Sequence, residues 1–589
     1  MGAQGGGAGS GGACGDDASA AAAVGRMVHR WGGGATARPA RAAAPAEAEA
    51  AEAEAGATPK ATLARTGAAK AGAEAETTLT RTVLLPAKEV PVLTECDVLV
   101  VGGGPAGLSA ALGAARAGAD VVLLERYGCF GGVITTVRGA PPPCAACCSR
   151  GAAAAAAPPL LPLLPLLPLA PSLAYLTHTH QVGMETLGWY RYEGCDDCEG
   201  IGREMERVAE RMGGSTKWPC NDSQCLDAER FKQVADALVN SSGVRPLLHC
   251  LCVDVVRGGP NKRSITGVVT ESKSGRAVVL AKTIVDCTGD ADVAHLAGVP
   301  CRSLPKGERM GTTAVFNVAG VDKERFLNFV STNPRTYADW SGSDGEWKQA
   351  TTGKEEALPS PFLAQEFRVA AQKGAISEAE AKELCGSWSA LSECGEATNL
   401  NLVHMKGYDA CDVWDLTRAE MEGRRRTDVA LRALRASLPG FDAAKLRNFG
   451  MTLGVRDTRK VVGRYDLTEA DVRGQARFDD AVGVFPEFID GYNVLVLPST
   501  GRYFQVPLGC LLPRMSGAES DVDNLLVGGR CVAGDKISHC AMRNMMACCT
   551  SGQGAGVAAA VAVRDGVPPQ DVDVAAVQAE LRRQGVRLD

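Results

Sequence analysis

The sequence predicts an α/β fold built on a parallel sheet, and three observations predict it. Two short apolar runs, Cys96–Val101 (CDVLVV) and Asp120–Leu124 (DVVLL), enclose a glycine-rich turn and an Ala/Leu-rich stretch. Two further apolar runs, Ile284–Asp290 (IVDCTGD) and Leu525–Arg530 (LLVGGR), also end in glycine. A second glycine-rich segment, Thr550–Gly556 (TSGQGAG), leads into an Ala/Val-rich stretch near the C-terminus. Short continuous apolar runs bounded by turn residues are what strands buried on both faces look like.

Taken in order, residues 1–93 are low-complexity, rich in Ala, Gly and Glu with few large apolar side chains. Such a stretch cannot bury enough surface to offset its ordering entropy and is expected to be disordered. The ordered chain is expected to begin near Thr94. Strand Cys96–Val101, loop Gly102–Gly107, helix Leu108–Ala117 ended by Gly118, and strand Asp120–Leu124 form a βαβ unit. Residues 94–137 are then the first part of a nucleotide-binding domain.

Residues 138–181 break the pattern with PPPCAACC, an alanine run and Pro158–Pro171 (PPLLPLLPLLPLAP). Regular proline excludes a membrane-spanning helix despite the leucines. The segment reads as an unstructured insert of translated intron origin, joined at Val137 and ending at Gln181 or Val182. A functional proline-rich loop is the other reading.

Residues 182–300 continue the domain. Ile201–Arg211 and Leu226–Asn240 read as helices, and Leu247–Val256, Ile265–Thr270 and Ala277–Cys287 as strands, with a hairpin turn at Ser272–Gly275. Residues 301–490 form an inserted region of mixed strand and helix, expected to bind substrate. Residues 491–589 return to the first domain with strands Asn493–Leu497 and Asn524–Val527, then helices near Ser551–Asp565 and Val572–Gln584.

Composition excludes several functions. The 589-residue chain has a formal net charge of −6 and no basic stripe with interleaved aromatics, so no nucleic-acid partner is expected. Arg424–Arg426 reads as a solvated helix face. The 22 cysteines are scattered, many within apolar runs, which suits a reducing intracellular compartment rather than a disulfide framework. The cytoplasm is favoured. Glu47, Glu49, Glu52 and Glu54 argue against an organelle transit peptide without excluding one. Gly6 stands where a myristoylation signal needs Ser or Thr. No membrane partner is expected.

The chemistry begins at Gly102-Gly103-Gly104-Pro105-Ala106-Gly107, a G-x-G-x-x-G loop. The first glycine makes a tight turn, the second lets backbone approach a pyrophosphate, and the third lets helix pack on strand. The helix N-terminus then meets phosphate with free N–H groups. Glu125, ending the next strand, is placed to accept ribose hydroxyl protons, which disfavours a 2′-phosphate. Arg126 follows it, and Gly131-Gly132 lies where backbone passes close to a cofactor. Thr288, Gly289 and Asp290 end one strand, and Gly529-Arg530 another. Gly552, Gln553 and Gly556 mark a second glycine-rich helix start, far from the first and suited to the other end of a long cofactor. A helix N-terminus there would stabilise charge developing on a reduced flavin, so the cofactor expected is FAD.

These segments resemble the two-dinucleotide-binding flavoproteins, and specifically the broad group of FAD-dependent oxidoreductases. The resemblance is carried by DVLVVGGGPAGLSAALGAARAGADVVLLER, DCTGDAD, LGVRDTRKVVGRYDLTEADV (Leu453–Val472) and NLLVGGR with TSGQGAGVAAA. It implies a Rossmann-like FAD-binding domain of the glutathione-reductase type with an inserted mixed α+β substrate domain. It also implies an ADP half at the first glycine loop and Glu125, with Gly529-Arg530 and Gly552–Gly556 near the flavin.

Arg456 and Arg459, three residues apart, are the substrate-site candidates, since two guanidiniums can fork onto a carboxylate or phosphate. A structural network around Asp457, Asp466 or the cofactor phosphates is the competing reading. His539, ahead of the last glycine helix with Arg543, is the proton-handling candidate, and Tyr503 is a weaker one. The expected reaction is hydride transfer between a small, anionic organic substrate and flavin. Two alternatives stand beside it. One is a thiol–disulfide reductase using Cys195 and Cys198. The other is a non-catalytic nucleotide-binding sensor or scaffold. No metal is expected: Cys220 and Cys225 are too loosely spaced to complete a site with Cys195 and Cys198.

Overall fold

The computed structural model describes residues 86–136, 198–217, 224–259, 262–332, 348–350, 363–384, 390–391, 395–492, 494–496, 502–518 and 521–589. The low-complexity stretch to Leu85, the insert 138–181 and Cys195 lie outside the described residues.

The chain enters as β1 (Val92–Val101), whose last four residues are fully enclosed. It turns through the glycine loop into α1 (Pro105–Arg116) and returns as β2 (Val121–Leu124). Helix α1 begins inside the loop, three residues earlier than its composition suggests, because Pro105 at its first position carries a preset φ and needs no N–H partner. After the helix Gly200–Arg211 comes α2 (Ala228–Ser242), capped by Asp227, which accepts from the N–H groups of Glu229 and Arg230. The run expected as one strand, Leu247–Val256, is two: β3 (Arg245–Leu247) and β4 (Leu251–Gly258). They are split at His249, whose φ of +56° bends the chain away from its first partner. The hairpin β5 (Ser264–Ser272) and β6 (Gly275–Asp286) turns at the expected Ser272–Gly275.

The inserted region follows. Strands β7 (Thr312–Ala319), β8 (Ala397–Met405) and β9 (Lys445–Phe449) form an antiparallel sheet with Ala390–Leu391, β7 lying between β8 and β9. The 25-residue helix α3 (Val413–Ser437) packs on it. Its Arg424 and Arg425 are exposed, while Arg426 is half-buried and donates to the His404 carbonyl; the three pair with Glu420, Glu422 and Glu383. The separate core of this region runs from Ala314 to Leu453, narrower than the 301–490 expected, because Val461–Ile489 pack into the first core.

The chain then returns to the first sheet as β10 (Leu525–Val527), followed by α4 (Lys536–Met542) and α5 (Met545–Asp565). Parallel strands lie in the order β3, β2, β1, β6, β10. Strand β6 is long enough to serve two partners on one edge. Its first half pairs antiparallel with β5, and Ile284–Asp286 pair with β10. The result is a mixed α/β fold in which β1, β6 and β10 all end at one rim.

Helix α5 is apolar and long enough to cross a membrane, but it is buried within the protein. It runs alongside α1 through small residues. A Cβ on Gly552 would stand 2.1 Å from the Ala106 carbonyl oxygen, and one on Gly556 would stand 2.1 Å from that of Ala110. The matching order, 552 on 106 and 556 on 110, makes the two helices parallel.

Candidate cofactor and substrate site

The rim is built around the glycine loop. Gly102 has φ of +101°, and a Cβ there would stand 2.4 Å from the Cys287 carbonyl oxygen, so strand β6 closes one side. A Cβ on Gly107 would collide with Gly102 itself. Gly104 is different: a Cβ there meets only the Cα of Gly132, at 3.8 Å, an ordinary contact. Gly104 also caps α1 without any side-chain hydrogen bond, which leaves the first N–H groups of α1 to a ligand, as at an anion site.

Glu125 is buried and clamps the loop. Its carboxylate accepts from the N–H of Gly103 at 2.7 Å and of Tyr127 at 2.8 Å. Burial pushes its pKa up, and those two N–H groups pull against that. Arg126 is exposed and stacks over Tyr127. The Gly131 N–H bonds the Gly103 carbonyl at 2.8 Å, and a Cβ on Gly132 would stand 2.8 Å from the Cα of Gly104. Gly131-Gly132 therefore supports the glycine loop from outside.

The second glycine-rich segment is not a helix start. Helix α5 begins at Met545, and Gly552 to Gly556 lie within it, where composition alone placed its beginning. The small residues serve the contact with α1. Gln553 points into that packing, its Oε1 accepting from the Ile201 N–H at 2.9 Å and its Nε2 donating to Gln584 at 3.0 Å. The helix start that matters is at Asn544–Ala547. Asn544 does not cap it, since its Nδ2 donates backwards to the carbonyls of Cys540 and Ala541. Because α5 is parallel to α1, its start precedes Gly552 by seven residues, about 10 Å beyond the start of α1. Gly529 sits between the two, a Cβ there standing 2.9 Å from the Cβ of Ala106 and 3.8 Å from Cys548 Sγ.

Two uncapped, parallel helix starts offset by about 10 Å, with the glycine loop Gly102–Gly107 at the first of them, fit an elongated anionic dinucleotide with a second polar ring system. A family model described as FAD dependent oxidoreductase matches residues 97–153 and 177–581. The chain belongs to the FAD dependent oxidoreductase family. The match leaves out residues 154–176, the Ala- and Pro/Leu-rich centre of the segment 138–181. FAD is the cofactor, and the chain is an oxidoreductase.

Solved structures similar to the chain include a geranylgeranyl bacteriochlorophyll reductase-like protein from Thermoplasma acidophilum, 12% identical, covering 83% of each chain with a TM-score of 0.37. A myxobacterial FAD-dependent halogenase is 12% identical over 83% of this chain and 79% of its own, at 0.37. The p-nitrophenol 4-monooxygenase of Pseudomonas putida is 12% identical over 83% and 84%, at 0.32. No curated relative matches at a significant level.

In this flavoprotein the segment Arg456–Arg459 joins the two regions. Arg456 donates to the Gly311 carbonyl at 3.1 Å and to the Thr313 hydroxyl. Asp457 is buried, accepting from Lys460 Nζ at 2.5 Å and from the Tyr492 hydroxyl. Thr458 reaches Asp290, and Arg459 pairs with Asp292 at 2.5 Å. The two guanidiniums thus engage different elements rather than forking together. Thr288 joins the Asp286 carboxylate through both its N–H and its hydroxyl.

His539 is buried on α4, its Nε2–H donating to the Arg456 carbonyl at 3.0 Å. Its Nδ1 makes no hydrogen bond among the described residues. Burial and the nearby Lys460 hold the imidazole well below its usual pKa, so it is neutral at pH 7. Tyr503 is stacked between Arg477 and Arg587. Cys198 is buried.

The residues not foreseen are His404, Lys460 and Tyr492. His404 lies across from Thr313 in the β7–β8 register. Its pKa is driven well down by burial, then by Arg456, Arg543 and Lys406. Alternation along β8 was its only signal, and alternation does not say which neighbours carry charge.

Proposed function

We propose that the enzyme transfers a hydride between a small, anionic organic substrate and FAD. The anionic reading is supported by the positive charges of Arg456, Lys406 and Arg543, the last of them paired with Asp490, which all act on His404. Such a cluster favours a carboxylate or another anion and disfavours a cation.

When bound, FAD supplies two-electron chemistry, and the chain supplies seat, orientation and charge. The first turn of α1 would hold the pyrophosphate and Glu125 the ribose. The first turn of α5, Met545–Ala547, would face the flavin pyrimidine and favour negative charge there. Gly529-Arg530 and Thr288–Asp290 line the space between. Arg456 anchors the substrate anion from the β7 side. Arg459, already paired with Asp292, holds the segment in place. His539 keeps a proton on Nε2 against the Arg456 carbonyl and leaves Nδ1 as its accepting atom.

Cys96, Cys287, Cys531 and Cys549 are buried and form no disulfide among the described residues, which supports the reading of a reducing, intracellular setting. The reading is tested by anaerobic flavin reduction across organic acids, amines and thiols, with Arg456→Gln alongside. Reduction by an organic acid, with KM raised about tenfold or more in Arg456→Gln, is expected from the loss of a charged hydrogen bond. Reduction by amines or thiols alone would overturn it.

A further inference from the structure

Three segments distant in sequence meet at Asp290. Its Oδ1 accepts from the Thr458 hydroxyl at 2.7 Å and from Arg530 Nη2 at 2.9 Å, and Arg530 Nη1 reaches Thr458 Oγ1 at 3.4 Å. Asp290 is buried, and the Arg530 side chain is four-fifths buried. The backbone is bent to make this meeting. Gly289 has φ of +82° and Ala291 of +54°. A Cβ on Gly289 would stand 2.7 Å from Arg530 Nη2, so a side chain there would displace the guanidinium from this position. Burial alone would raise the Asp290 carboxyl, but Arg530 and Thr458 hold it below its ordinary pKa. Next to this pair lies a second, Arg459 with Asp292.

The position matters as much as the pairing. Arg530 follows Gly529, which is wedged between Ala106 of α1 and Cys548 of the first turn of α5. The pair therefore stands beside the gap between the two uncapped helix starts. Thr458 belongs to the segment whose Arg456 touches β7 and whose carbonyl receives His539.

We propose that the Asp290–Arg530 pair, held by the Thr458 hydroxyl, sets the reduction potential of the bound flavin, with Thr458 as the positioning residue. The proposal rests on FAD being seated between α1 and α5. A guanidinium matched by a carboxylate presents only a dipole to its surroundings. The same guanidinium unmatched presents a full buried charge, which favours a cofactor that gains negative charge on reduction. Removing the carboxylate therefore raises the potential, and removing the hydroxyl loosens the match.

The test compares FAD content and midpoint potential, measured against a reference dye at pH 7, in the full chain and in Asp290→Asn, Thr458→Val, Thr458→Ser and the double variant Asp290→Asn/Arg530→Gln. The potential should rise in Asp290→Asn and rise by less in Thr458→Val. It should return to the wild-type value in Thr458→Ser and in the double variant. An unchanged or lowered potential in FAD-loaded Asp290→Asn would overturn the proposal. If that variant does not fold, an unchanged potential in Thr458→Val overturns it. A wild-type chain that takes up no FAD would instead defeat the seating between α1 and α5.

Discussion

Gly552 of α5 lies so close to Ala106 of α1 that a Cβ on it would stand 2.1 Å from the Ala106 carbonyl oxygen. The atom it would meet is backbone, which cannot swing aside. Gly552→Ala should push the two helices apart where α1 starts, and so disturb both N-termini at once. Overpacking of this kind costs roughly 1–3 kcal/mol. A lower Tm with reduced FAD content is expected. A variant with wild-type Tm and full FAD would show that the helices are not in this contact.

Glu125 holds Gly103 and Tyr127 through their N–H groups. Glu125→Gln keeps an acceptor but loses the charge offered to ribose hydroxyls. A charged hydrogen bond contributes about 1.5–3 kcal/mol, so FAD affinity should fall by roughly ten- to a hundredfold. FMN, which lacks the adenosine half, should bind both proteins alike. Titration of the apoprotein with each flavin checks this, and an equal loss for FMN would place Glu125 elsewhere.

Asp292 is pushed up from an ordinary 3.8 to about 6 by burial, then by Asp290 and Asp286, with Arg459 opposing. Between pH 4 and 6 the folded chain therefore keeps a proton that the unfolded chain has released. Stability from this group is present at the acid end of that window and is lost as pH rises through about 6. The difference is on the order of 2 kcal/mol, allowing for partial exposure of the side chain. Urea unfolding of the FAD-free chain at both ends of the window should show Asp292→Asn gaining on wild type as pH rises. Parallel curves would contradict the shift.

The centre of the segment 138–181 falls outside the family match. If it is intron-derived, sequencing of mature message across the Val137–Val182 codons should find a spliced form lacking it. Message that always carries the segment would remove the idea.

Much of the fold was legible because buried parallel strands announce themselves as short apolar runs. Cys96–Val101, Asp120–Leu124 and Leu525–Val527 all fall in the central sheet. The glycine loop was legible because each glycine has one geometric duty. Two things were not. Glycines in TSGQGAG read as a helix start, since glycine is rare inside helices, yet here they permit α5 to touch α1. The true start, Asn544–Met546, is marked only by Asn544, a residue that ordinarily caps, and the missing cap shows only when its side chain is seen turned backwards. The substrate side was less legible still. R-x-x-R suggested one fork, but helix, strand and loop partners that lie far apart in sequence claim the two arginines separately.

The central claim is that FAD spans the starts of α1 and α5. The most direct measurement is a crystal structure of the full chain grown with FAD. The account predicts the pyrophosphate at Gly104–Ala106 and the flavin ring at Met545–Ala547, with Gly529 between them. FAD bound elsewhere, or purified folded protein that takes up no flavin, would contradict it.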